Sequence, residues 1–176
     1  MFSDRSLIPT EAVRLAALGL LAEAPVAYGE LAVSVRRFIS RLIGPSLDLM
    51  GTSLQLLRLE GLIEPENASG AESAPLRLTD SGRAELVRLL TSRVRAPIND
   101  VSKVVVALKL RFLDLLPPEE RRAQIDTLIE ISEAEHTRLV DLGKQPGTPV
   151  FAGWLDQDLR HAESRLAWLN ELRAKL

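Results

Sequence analysis

The side chains best suited to chemistry in this 176-residue chain are arginines, hydroxyls and amides, not nucleophiles or metal ligands. Arg36, Arg37 and Arg41 cluster on one segment and could seat phosphates where a helix crosses a nucleic-acid backbone, with Ser46 helping at the start of the next helix. Thr52, Ser53 and Gln55 follow on a segment that could lie in a DNA groove. There an amide favours adenine and hydroxyls are permissive. Arg58 and Arg77 complete the set of candidate DNA contacts. The same residues also fit an ordinary solvated helix face, and Leu49, Leu56 and Leu59 make a protein-contact surface the competing reading.

Glu133-x-x-His136 has the spacing of half a di-iron bundle site, but its only echo is Asp158 before His161, so both pairs read as surface helix residues. With no cysteine there is neither a thiolate zinc site nor a disulfide framework. No nucleophile elbow, glycine-rich phosphate loop or zinc helix motif occurs. The expectation is a protein that is not an enzyme and uses no metal or cofactor. The formal charge of −2 means that bulk basicity cannot argue for nucleic acid, so local arrangement must. Met1-Phe2-Ser3-Asp4-Arg5 lacks a signal pattern and no apolar run approaches bilayer length, which leads to the expectation of a cytoplasmic protein without a membrane partner.

The elements that must position these residues are mostly helical. Ala12, Val13, Leu15, Ala16, Leu18 and Leu21 predict an almost wholly apolar first helix ending at Ala24-Pro25. A second helix starts near Tyr28, with Leu31, Val35, Phe38, Ile39 and Leu42 on one side and the three arginines on much of the rest. Gly44-Pro45-Ser46 breaks the chain before a leucine-rich third helix, which is helix-turn-helix spacing. Gly61 can end that helix, Leu62-Ile63 and Leu76-Arg77-Leu78 read as two short strands, and Asn67 to Pro75 reads as an exposed turn. Thr79 is placed to cap a fourth helix. Together these predict a winged helix with a two-stranded wing.

Ala96-Pro97-Ile98-Asn99-Asp100 marks the expected junction, giving a DNA-binding domain over 1–96 and a helical domain over 97–176. The helix over 101–116 is too apolar round its circumference to face water alone. Pro117-Pro118-Glu119-Glu120 starts a long helix, and 143–149 reverses the chain. The last helix carries Leu155, Leu159, Ala162, Leu166, Leu169 and Leu176 in steps of four and three, a coiled-coil seam. Val104, Leu108, Phe112, Leu155, Leu159, Leu166 and Leu169 are therefore expected to bury against a second copy. Trp154 and Trp168 could be core, or could stack on an aromatic effector.

Several pieces taken in order resemble the PadR family of bacterial transcriptional regulators, in the branch with virulence-activator-type C-terminal helices. They are Leu18-Gly19-Leu20-Leu21-Ala22 with Tyr28-Gly29-Glu30-Leu31, Leu54 to Ile63, Leu76-Arg77-Leu78-Thr79 with Gly82-Arg83, Leu108 to Phe112, Leu116 to Arg121, and Glu163 with Leu166 to Leu169. The resemblance covers nearly the whole chain. It implies a mainly α homodimer whose winged helices present recognition helices to successive major grooves of double-stranded DNA, held apart by an antiparallel coiled-coil dimerisation domain. It further implies repression more often than activation, and in some members release of DNA by a small planar effector. Gln55 and Leu56 stand where the family usually carries basic residues, which keeps open the alternative of a winged-helix protein-interaction module.

Overall fold

The computed structural model describes residues 9–44, 50–66, 74–94 and 100–176. It divides into two compact units, Met1–Leu115 and Leu116–Leu176. In the first, α1 (Pro9–Glu23) is the central element, because its apolar residues run round the whole helix and are covered on every side. The strand β1 (Val26–Ala27) leads into α2 (Tyr28–Ile43), followed by α3 (Met50–Leu59), β2 (Ile63–Pro65), β3 (Pro75–Leu78) and α4 (Asp80–Thr91). The fold is a winged helix with a helical C-terminal region, mainly α with one small antiparallel sheet.

That sheet has three strands in the order β1-β3-β2, one more than the two-stranded wing expected. Val26 pairs with Leu76, and Ile63 pairs with Leu78. A two-residue strand carries no periodicity of its own, so β1 exists only because β3 offers it an edge.

Local chemistry fixes the join between the third helix, the wing and α4. Gly61 takes a φ of 69° after α3, its N–H bonds the Arg58 carbonyl at 3.1 Å and the Leu62 N–H bonds the Leu57 carbonyl at 2.9 Å, a Schellman ending. Thr79 accepts from the Gly82 N–H at 3.0 Å as the cap of α4, while its hydroxyl donates to the Gly61 carbonyl at 2.7 Å. One side chain thus ties the start of α4 to the end of α3. At Gly82 a Cβ would lie 2.0 Å from the Leu62 carbonyl oxygen, so only glycine lets α4 approach β2 this closely.

The fifth helix, α5 (Asp100–Arg111), corrects an expectation. It packs on α1 and α2 inside the first unit, with Val104, Val105 and Leu108 buried and Phe112 just beyond it buried as well. The Phe112 ring fills the space beside Gly19, where a Cβ would sit 2.3 Å from the ring. Val104, Leu108 and Phe112, expected at a dimer interface, are instead closed off within the chain. The apolar excess of this helix is satisfied by α1. The compact units accordingly divide after Leu115, and the expected junction at 96–97 lies outside the described residues.

The second unit is an antiparallel hairpin of α6 (Pro118–Gly143) and α7 (Pro149–Lys175), with Thr148 capping α7 through the Phe151 N–H. Leu155, Ala162 and Leu169, spaced seven apart, are buried on α7, Leu155 beside Gly143 at the end of α6, and Ile125, Leu128, Ile129 and Ser132 are buried on α6. Ion pairs between Arg165 and Glu135 and between Arg173 and Asp126 flank that seam. The coiled-coil pattern is therefore used first within the chain, and Leu155 and Leu169 face α6. Leu159 and Leu166 remain half-buried.

Candidate nucleic-acid interface

The outer face of α3 is open. Leu54 and Leu57 are buried, whereas Gln55, Leu56, Arg58 and Leu59 are exposed, Leu56 by 42% and Leu59 by 82%. Thr52 and Ser53 belong to the first half of the same helix, and Ser46 lies outside the described residues. Gln55, Arg58 and Leu59 line an open cleft of about 900 Å³ with Tyr28 and Gly29 of α2 and Leu76 of β3. The cleft is bounded on one side by a helix of groove-reading size and on the other by the wing. Arg77 stands exposed on β3, opposite Glu64 in the strand register, and pairs with it at 2.7 Å. Reaching a phosphate would mean exchanging that partner.

The three arginines of α2 do not form one patch. Arg36 lies seven residues after Gly29, so it shares the stripe that borders the α3 cleft. Arg37 is one residue, about 100°, further round the helix. With Arg41 it borders a different groove on the α1 and α5 side, lined also by Leu20, Phe38 and Arg111. Among the described residues, Arg36, Arg37, Arg41 and Arg58 have no ion-pair partner.

An ion network holds α3 in place from behind. Arg14 of α1 grips Glu60, the residue after α3, with two bonds of 2.6 and 3.0 Å, and reaches Glu85 of α4 at 3.4 Å. Arg88 pairs with Glu85 at 2.7 Å and with Glu11 at 3.3 Å. The hydrogen bond from Arg88, and then the charges of Arg88 and Arg14, outweigh burial and hold the Glu85 carboxyl below the usual carboxylate range.

The AphA-like transcriptional regulator model matches residues 2–173. The chain belongs to that family. It is a regulator of the PadR kind, as the sequence resemblance implied. The chain is also similar to solved structures of Bacillus subtilis PadR. The protein alone is 21% identical, with 97% of each chain covered and a TM-score of 0.39. The PadR complex with operator DNA is 21% identical, covering 96% of this chain and all of that one, with a TM-score of 0.38. The PadR complex with p-coumaric acid is 20% identical, covering 97% and 98%, with a TM-score of 0.37. Comparison with curated protein sequences finds no match.

Two features of this AphA-like regulator escaped sequence reasoning. The Arg14 to Glu60 pair joins residues far apart in the chain, and no local pattern marks it. Lys109, 2% exposed on α5, donates to the Leu90 carbonyl in the last turn of α4, where a cation complements the helix dipole. Burial pushes its ammonium down to about 8. A lysine in an apolar helix gives a signal only when its own helical phase is compared with its neighbours, and Lys109 follows Val105 by one turn.

In the second unit, Trp154 and Trp168 are 50% and 48% exposed, so neither is core. They fall on one stripe of α7, with Trp154 tilted against Phe151 at 5.6 Å. His136 lies 3.6 Å from Glu163, and His161 meets Gln157 at 3.0 Å. Among the described residues no three His, Asp or Glu side chains converge as a metal site, and no helix is long and apolar enough to cross a membrane.

Proposed function

We propose that this AphA-like regulator acts as a homodimeric repressor that binds a palindromic operator in double-stranded DNA through α3 and the wing. The observation that carries the reading is the exposed face of α3, where Gln55 and Arg58 stand clear of the core beside the cleft. Arg58 and Gln55 would read base edges, with Thr52 and Ser53 earlier on the helix, while Arg36 and Arg77 would hold phosphates. A second copy would cover the hairpin, whose two helices leave Val140, Val150, Trp154 and Trp168 exposed and Leu159 and Leu166 half-open. Trp154 or Trp168 would then offer a face on which a small aromatic effector could stack.

The test is affinity for random duplex across a salt series, followed by selection of genomic fragments. A steep negative slope and a further loss in Arg36→Ala with Arg58→Ala is expected, and a flat slope sinks the DNA reading. Leu159→Asp with Leu166→Asp should move the sedimenting species to monomer. An unchanged dimer would remove those residues from the interface.

Exposed Leu56 and Leu59 favour a second reading, in which α3 docks a protein partner. That reading predicts weak, salt-insensitive DNA binding, and a partner whose capture is lost in Leu59→Asp.

A further inference from the structure

We propose that the groove between α1, α2 and the end of α5 binds a small organic phosphate monoester with an apolar body. The inference does not depend on how the α3 face is used. The groove encloses about 430 Å³, a volume suited to a small molecule rather than a macromolecular segment. Its apolar lining is Leu20, Phe38 and Leu42, and Arg37, Arg41 and Arg111 line it as well, which makes these the rim of an open groove.

The rim arginines are not equivalent. Arg111 is fixed in advance: it pairs with Glu23 at 3.1 Å and its guanidinium lies 5.3 Å from the Phe38 ring centre and 5.2 Å from that of Phe112. Arg37 and Arg41 are four apart on α2, a like-charge spacing that destabilises a helix, and among the described residues neither has a carboxylate partner. Among the described residues Glu23 is the one carboxylate paired with these three guanidiniums, which leaves a local surplus of two positive charges. A monocarboxylate would neutralise half of it. A phosphate monoester carries about −1.5 to −2 at neutral pH and offers three oxygens for forked guanidinium contacts. The apolar body would lie on Leu20, Phe38 and Leu42, which inorganic phosphate cannot use.

The experiment is calorimetric titration of the full-length protein with phenyl phosphate, benzoate and inorganic phosphate, with methyl NMR shifts of Leu20 and Leu42 locating the site. Phenyl phosphate is expected to bind at least about ten-fold more tightly than either comparison anion. Arg37→Met with Arg41→Met should weaken it by about ten-fold or more without lowering the melting temperature, because both side chains are exposed and their like charges repel. The proposal is overturned if phenyl phosphate gives no saturable signal, if benzoate binds as well, or if the double variant keeps its affinity. It is equally overturned if the variant loses affinity only for duplex DNA, since the groove would then seat nucleic-acid phosphates.

Discussion

Lys109 offers the sharpest test of how α5 is joined to the winged helix. Its ammonium is buried at 2% exposure against the Leu90 carbonyl, and burial lowers it from 10.5 to about 8. Below pH 8 both folded and unfolded chains hold the proton, and the folded state carries a charge that burial disfavours. Between 8 and 10.5 the folded chain releases the proton while the unfolded chain keeps it, so stability climbs with pH. The slope is about 1.4 kcal/mol per pH unit and the whole window is worth about 3 kcal/mol.

The perturbation is Lys109→Met, which keeps an unbranched side chain one atom shorter and removes the titration. Urea unfolding of both proteins, followed by circular dichroism from about pH 7 to about pH 10, cancels every group they share. The wild-type curve should gain about 2 to 3 kcal/mol on the variant across that range. Parallel curves would refute the reasoning and show that the amine is solvated. A falling difference would show that the charged form is the one the fold prefers.

Other consequences follow from the joints of the first unit. Gly82→Ala places a Cβ 2.0 Å from the Leu62 carbonyl oxygen and should cost about 1 to 3 kcal/mol in denaturant unfolding, whereas an unchanged midpoint would mean α4 can withdraw freely. Thr79→Val loses both the cap of Gly82 and the bond to Gly61 and should cost about 1 to 2 kcal/mol, with Thr79→Ser restoring most of it. Arg88→Met should cost about 1 kcal/mol at neutral pH, discounted for the exposure of Arg88. Glu85 is the depressed carboxyl here, so its contribution is present above its ordinary value of 4.5 and is lost as the pH falls further. The gap between wild type and Arg88→Met should therefore close in acid, and a gap that persists in acid would remove Glu85 from the account.

The legible parts of the fold were those that local chemistry settles. Gly61 behind a leucine-rich segment, Thr79 before Asp80-Ser81-Gly82 and Pro118 before two glutamates each specify a helix end within a few residues, and each end occurs there. In the leucine-rich third helix Leu54 and Leu57, three apart, are buried while Gln55 and Arg58 are exposed, as a single apolar stripe requires. The seam of α7 was legible as a pattern, but its partner was not. A step of seven says that a stripe is buried and is silent on whether α6 or another copy buries it.

By itself, the sequence determined the order of helices, their caps, the turn into the wing and the family to which the whole belongs, because hydrogen bonding and helical phase act over a few residues. Only the tertiary structure decided that α5 closes on α1, that β1 joins the sheet, and that Arg37 and Arg41 share a groove with Arg111. Those outcomes depend on which surfaces meet across long separations in the chain. An apolar face or a guanidinium is equally satisfied by several partners until packing selects one.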